Sequence, residues 1–209
     1  MALQDVKASL EKAKLAPGSA ASLIPDGFEP TVELRVEYAG DKPVSLGNLL
    51  RVADVKLSPA VSFSPEPGAS SSASYMLLLV DPDAPTPEDP KFAFWRHWVL
   101  PGLQPLSGTP ASTDTGTGTG PVVAQTKPAL TQYLAPGPKD DVTSRSTPHR
   151  YLFLLFREPN GLDLTKDQVG GEEFVQRRSF QAAEFIAKHN LVLVGVNWML
   201  GAGNGWKET

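Results

Sequence analysis

The sequence predicts a mainly β protein, either a β-sandwich or a large central sheet with peripheral helices. Three observations predict it. Eighteen glycines and 20 prolines in 209 residues imply many turns and disfavour a helical bundle. Several short apolar or alternating runs, separated by irregular loops, read as strands. Helical periodicity is confined to two segments, one toward each end. The expectation is a single domain over residues 1–209, with a helical extension at 1–18 and a low-complexity loop at 106–120.

Residues 3–15 place Leu3, Val6, Leu10 and Ala13 on one stripe among Lys and Glu, a short amphipathic helix ended by Pro17-Gly18. It precedes the strands and is expected to dock onto them. From Thr31 to Tyr38 the chain alternates, with Val32, Leu34, Val36 and Tyr38 on one face, which predicts a half-buried strand closed by Gly40-Asp41-Lys42-Pro43. Residues 52–57 and 61–63 are weaker strands, and 65–74 is a Ser/Pro/Gly loop. Tyr75 to Val80 reads as a fully buried strand that runs into Asp81-Pro82-Asp83-Ala84-Pro85. Residues 94–100, 122–125, 151–156 and 191–198 complete the strand set. Residues 179–189 form a helix with Phe180, Ala183, Phe185 and Ile186 inward.

Charge and composition exclude several functions. Lys plus Arg number 19 and Asp plus Glu 23, a net charge of −4, so there is no basic footprint and no nucleic-acid partner is expected. The chain has no cysteine, which removes disulfides, thiolate catalysis and Cys-ligated metal. No signal-type apolar region opens the sequence and no apolar run is long enough to cross a bilayer. The expectation is a cytoplasmic protein without stable membrane insertion.

Only three histidines occur, so their placement is informative. His189, near the end of the last helix, is expected to be structural, a cation favoured by the helix dipole. His97 lies mid-strand in Trp95-Arg96-His97-Trp98, and strict alternation puts it on the face of Trp95, opposite Arg96 and Trp98. His149 and Tyr151 share a face at the mouth of the apolar run 151–156, with Arg150 on the other. Asp81 and Asp83 flank Pro82 in a corner made rigid by two prolines. Each of these groups has a plain structural reading: turn-capping for the aspartates, a carbonyl-satisfied core imidazole for His97. The sharper reading sets Asp81, His97, His149 and Tyr151 around one cavity, where a carboxylate would raise and orient an imidazole and a half-protonated pair with a phenol would take a small anion. A zinc site of two His and one Asp is the runner-up, but no usual ligand spacing is present, and no metal or other cofactor is expected. No G-x-S-x-G elbow supports a serine hydrolase.

DPDAP at 81–85, Trp95-x-His97 and PHRYLFLLF at 148–156 resemble the phosphatidylethanolamine-binding protein family, also called Raf kinase inhibitor-like. The closing helix and strand, FQAAEFIAKHNL and VLVGVNW, fit the same pattern. The N-terminal helix followed by IPDGFEPTVELRVEY resembles the fungal branch that includes carboxypeptidase Y inhibitor. The resemblance implies two packed antiparallel sheets around a large central β-sheet with small helices. It also implies an anion pocket for phosphate, acetate or a phospholipid head group, formed by Asp81, Asp83, Phe92, Trp95, His97, Gly137, Pro138, His149 and Tyr151. The sequence departs from the family pattern at Lys139, at Ser144-Arg145-Ser146-Thr147 and at Phe92, where a Tyr is common.

The functional expectation is a non-enzymatic regulator that binds an anion or lipid head group and acts on a serine carboxypeptidase or a kinase. Residues 1–15 would be the inhibitory element, and their deletion is expected to leave the fold intact. The alternative is an enzyme promoting coupling or cyclisation of carboxylate or anhydride intermediates in fungal polyketide synthesis, with Asp81, His97, His149 and Tyr151 as acid–base and oxyanion groups.

Overall fold

The computed structural model describes residues 3–106, 123–138 and 147–208. Most of the 106–120 loop, Val122, Lys139 and Ser144-Arg145-Ser146 lie outside these described residues.

Nine strands and two α-helices are described: α1 (Leu3–Lys12), β1 (Arg35–Tyr38), β2 (Lys42–Pro43), β3 (Leu49–Arg51), β4 (Ala60–Ser62), β5 (Tyr75–Asp81), β6 (Trp95–Pro105), β7 (Val123–Gln125), β8 (His149–Arg157), α2 (Ala182–Lys188) and β9 (Val192–Ala202). Short 3-10 turns at Lys166–Val169 and Phe174–Arg177 had no counterpart in the sequence pattern. The strands form a six-stranded sheet in the order β3-β9-β8-β5-β6-β7 and a three-stranded sheet in the order β2-β1-β4. The smaller sheet is antiparallel. The larger is mixed, because β3 pairs in parallel with the end of β9, a departure from the expected all-antiparallel pairing.

The two central strands explain the layering. On β5, Tyr75, Leu77 and Leu79 join one core and Met76, Leu78 and Val80 the other; on β8, Tyr151, Phe153 and Leu155 oppose Leu152, Leu154 and Phe156. Period-two alternation of an all-apolar run therefore buries both faces. One face packs on Val32, Leu34, Val36 and Tyr38 of the β1 segment, whose alternating burial follows the sequence pattern. The other packs on α1 and α2 through Val6, Leu10, Ala182 and Phe185, with Phe180 just before α2.

The strand expected at 52–57 is replaced by turns, with β3 just before it. β6 runs five residues beyond the expected 94–100 end because Pro101-Gly102 forms a bulge rather than a break. Tyr75 faces Leu103 while Leu77 faces Leu100, and Gly102 takes φ 72°, where a Cβ would lie 2.7 Å from Thr126 Oγ1.

α1 is docked as expected, and deeply. Val6 and Leu10 are 2% exposed and Leu15, in the turn that follows, is fully buried. The Trp198 indole donates to Ser9 Oγ at 3.1 Å. Deletion of residues 1–15 would therefore remove part of the core, contrary to the expectation of an unaffected fold. A cleft of about 370 Å³ lies between α1 and residues 16–28, lined by Leu10, Ile24 and Phe28 with Lys7, Glu11 and Asp26.

Candidate functional site: an Asp–His–Tyr cluster at the ends of β5, β6 and β8

β5, β6 and β8 are neighbours, so the end of β5 and the starts of β6 and β8 meet at one edge of the large sheet. Asp81 ends β5, Trp95 opens β6 as its partner across the ladder, and His149 opens β8. The corner after β5 is turned by Asp81-Pro82-Asp83, where Asp81 Oδ1 accepts the Asp83 N–H at 2.7 Å, and the Ala84–Pro85 peptide is cis. The other Asp81 oxygen accepts His149 Nδ1–H at 2.8 Å. Asp83 accepts the Arg150 backbone N–H and its Nε–H, both at 2.8 Å, on one oxygen, and Nη2–H at 2.5 Å on the other. Asp81 thus caps the turn and pairs with His149 of β8 at once, whereas Asp83 pairs with Arg150 alone.

Alternation on β8 acts as the sequence implies. His149 and Tyr151 stack on one side, with centroids 6.1 Å apart and planes 15° from parallel. Arg150 turns the other way, and its Nη1 donates to the Ala13 carbonyl at 2.9 Å, at the end of α1.

β6 departs from strict alternation. Leu79 faces Trp98 and Val80 faces Arg96, so His97 is the extra residue of a bulge. His97 meets Tyr151 edge-on at 5.3 Å, and Trp98 packs in the same core as Tyr151 rather than on the opposite face. Arg96 alone points away. It donates to Thr131 Oγ1 and to the carbonyls of Val169, Gly171 and Gln176, and lies over Phe180. The expected opposition of His97 and Trp98 is corrected by this bulge.

The electrostatics split the two histidines. Burial pushes His149 down, but the Asp81 hydrogen bond and the charges of Asp81, Asp83 and Glu88 outweigh it, so its pKa rises above 6.5. Burial dominates at His97 and lowers its pKa, although Asp81 and the bond from Nδ1–H to the Leu134 carbonyl at 2.7 Å oppose it. Tyr151 is pushed well up by burial, then by the charges of Asp81 and Asp83, and stays a phenol. The cluster therefore sets two imidazoles with oppositely shifted pKa values beside a hydroxyl. Asp81, Asp83, His97, His149 and Tyr151 are all at most 5% exposed, and none lines a cleft of the described residues noted at α1, beside β6 or beside α2.

The remaining candidates surround it. Pro138 is partly buried and Gly137 exposed, with open space where a Cβ would stand. Phe92 meets Trp95 edge-on at 6.5 Å. Sequence reasoning missed Arg177, which is buried and donates to the carbonyls of His97 at 3.0 Å and Gln132 at 2.9 Å, so it braces the bulge. It also missed Arg178 and Phe174, which join Phe92 and Trp95. No pattern within the segment QRRSF distinguishes these roles.

His189 closes α2 but not as a cation. Burial and Lys188 lower its pKa, and it packs on Phe185 at 4.9 Å. The expected dipole-favoured charge gives way to desolvation.

Among the described residues no group of three or more His, Asp or Glu side chains is arranged to hold a metal ion. No helix among them is long and apolar enough to cross a membrane.

The chain is 31% identical over 153 residues to carboxypeptidase Y inhibitor of Saccharomyces cerevisiae, covering 66% of this chain and 68% of that protein. It is 29% identical to CEN-like protein 1 of Nicotiana tabacum, covering 73% of this chain and 74% of that one. The fold is similar to that of carboxypeptidase Y inhibitor complexed with the cognate proteinase, with a TM-score of 0.75 at 23% identity over 97% of both chains. A phosphatidylethanolamine-binding protein from Plasmodium vivax gives a TM-score of 0.64 at 22% identity over 94% of this chain and 96% of that one. Residues 27–197, which span all nine strands but the end of β9, match the family described as phosphatidylethanolamine-binding protein, and the chain belongs to that family.

Proposed function

We propose that the chain is a non-enzymatic binding protein that takes a small phosphate or carboxylate group at the Asp81–His149 site and inhibits a serine carboxypeptidase. Similarity to carboxypeptidase Y inhibitor carries the partner: 31% identity in sequence, and a shared fold over 97% of both chains with the inhibitor seen on its proteinase. The donor set supports the anion. Asp81 occupies His149 Nδ1, so Nε2 of the ring, a donor when the imidazole is protonated, is left for a ligand beside the Tyr151 phenol. A phospholipid head group is one source of that phosphate. An enzymatic use of the same four side chains has no observation of its own: Asp81 raises the His149 pKa, which favours its donor form.

Because Val6 and everything after it on the buried stripe belongs to the core, the segment that precedes Val6 is the part of α1 suited to enter a protease. Two measurements test the proposal. Removal of residues 1–5 should weaken inhibition of carboxypeptidase Y by tenfold or more while the unfolding midpoint stays near that of the intact chain; unchanged inhibition would refute the N-terminal role. Titration with phosphate and acetate should move the imidazole NMR signals of His97 and His149 together and saturably, with His189 still. Silence at both would refute the anion site.

A further inference from the structure

The charges of the site leave an anion poorly served. Asp81 is paired with His149 and Asp83 with Arg150, while Glu88, bonded by the Thr147 hydroxyl at 2.9 Å, adds a further negative charge that is felt at His149. The two buried guanidiniums nearby are also committed. Arg96 is turned to the opposite face and bonded to carbonyls, and Arg177 is bonded to the carbonyls of Glu172, His97 and Gln132. A doubly charged anion at His149 would face three carboxylates with a single imidazole to receive it.

Arg178 is placed to change that balance. Its guanidinium lies 4.7 Å over Phe92, 5.6 Å over Trp95 and 5.8 Å over Phe174, and Trp95 and Phe174 meet edge-on at 4.9 Å. The cation is thus held among three aromatic rings, and an arginine so placed is suited to receive a phosphate or carboxylate through its N–H groups. Among the described residues no carboxylate lies within ion-pair distance of it. The shelf abuts the cluster: Trp95 is the ladder partner of Asp81, so both side chains emerge on the same face of the sheet. The following segment is pinned there by Ser179 N–H to the Phe92 carbonyl at 3.0 Å and Phe180 N–H to the Phe94 carbonyl at 2.9 Å. The Trp95 indole N–H is itself buried and has no acceptor, a state that native proteins seldom leave unexplained.

We infer that Arg178, held among Phe92, Trp95 and Phe174, is the specificity-determining cation of the site and selects a phosphate-type dianion over a monocarboxylate, with the Trp95 indole N–H as a second donor. The inference rests on the anion-binding reading above and names the class of anion. Inorganic phosphate at pH 8, where it is a dianion, and acetate are the probes, measured by NMR titration of the intact chain, Arg178→Gln and Arg178→Lys. Arg178 is exposed, so neither substitution removes a core contact. In the wild type, phosphate should move the Trp95 indole N–H signal as well as His149. Arg178→Gln should weaken phosphate about tenfold to a hundredfold, as expected for loss of a charge-assisted bond, with acetate changed less than about threefold. Arg178→Lys should fall between, because it keeps the charge and loses the planar fork. Equal weakening of both anions, or none, would overturn the role of Arg178 while leaving the anion site standing. A wild type that binds neither anion would overturn the site itself, and this inference with it.

Discussion

Replacing Leu10 with alanine asks whether α1 is part of the core or only rests on it. Leu10 is 2% exposed and shares a core with Val6, Leu15 and Ile24 as well as Leu78 and Leu154 of the sheet. Leucine-to-alanine changes at such positions cost about 2–5 kcal/mol, more when the neighbours cannot close in. Here the cleft between α1 and residues 16–28 already borders Leu10, and α1 can settle, so the lower part of that range, about 2–3 kcal/mol, is expected. For a chain of this size each kcal/mol moves the melting temperature by about 2–4 °C, which gives a drop of roughly 4–12 °C. The larger deletion of residues 1–15 removes Val6, Leu10 and Leu15 together, on the order of 5–9 kcal/mol at about 1.5–3 kcal/mol per buried side chain. That is comparable with the whole stability of a typical domain, about 5–15 kcal/mol, so loss of inhibition in that variant would report unfolding. Urea unfolding followed by tryptophan fluorescence is the assay, since α1 covers Trp198 through the Ser9 bond. A Leu10→Ala change under about 0.5 kcal/mol would mean that α1 is not docked in solution, and the case for confining the free segment to residues before Val6 would fall.

Asp81→Asn removes the hydrogen bond and charge that hold His149 up, so the His149 pKa should fall from above 6.5, read by imidazole NMR. The sign for stability follows. His149, raised in the folded state, contributes stability that is full below about 6.5 and is lost as pH rises through its folded value; His97, lowered, contributes above 6.5 and loses it as pH falls. Asp81→Asn should therefore erase the His149 contribution and leave a variant whose stability declines more steeply on acidification, seen in denaturation midpoints between pH 8 and 5. Asp83→Ala strands the Arg150 guanidinium in a half-buried fork and should cost about 3–5 kcal/mol, with much of the loss recovered in the double variant with Arg150→Met; additive losses would show that the pair is not coupled. Gly201→Ala would set a Cβ 2.4 Å from Tyr151 Cε2, inside a ring that has no room to move, so it should destabilise by about 1–3 kcal/mol and blunt the His149 response to phosphate; a wild-type response would show that Tyr151 is not held where described.

The apolar runs at 75–80 and 151–156 were legible because both faces of a central strand are buried and nothing else suits such composition. The face shared by His149 and Tyr151 was legible for the same reason: β8 alternates without a break across them. The side taken by Trp98 was not, because the bulge at His97 is decided by pairing with β5, which no period within β6 encodes. The same holds for β3, whose strand character comes from the distant end of β9 and not from its own three residues. The 52–57 segment has better strand composition, yet its Asp54 is spent on closing the turn, accepting the Arg51 N–H at 2.9 Å. Arg177 and Arg178 were invisible for a different reason. Their roles depend on a chain segment folding back onto residues 92–97, and adjacent arginines in sequence take opposite tasks there, one buried as a brace and one exposed over aromatic rings.

Arg150 anchors α1 by its backbone: the guanidinium grips the Ala13 carbonyl on one side and Asp83 on the other, and no side chain of α1 takes part in that grip. A carbonyl is the same whatever residue bears it. The outward positions of α1 are thus free to diversify, as a surface that meets changing partners must, while the helix keeps its registration on the sheet. Arg150 and Asp83 have no such freedom, since a change at either alters how the cluster is held and where the helix sits at the same time. Divergence among homologues should therefore fall on the exposed face of α1 and spare this two-sided clasp, a pattern that a comparison of related sequences would read directly.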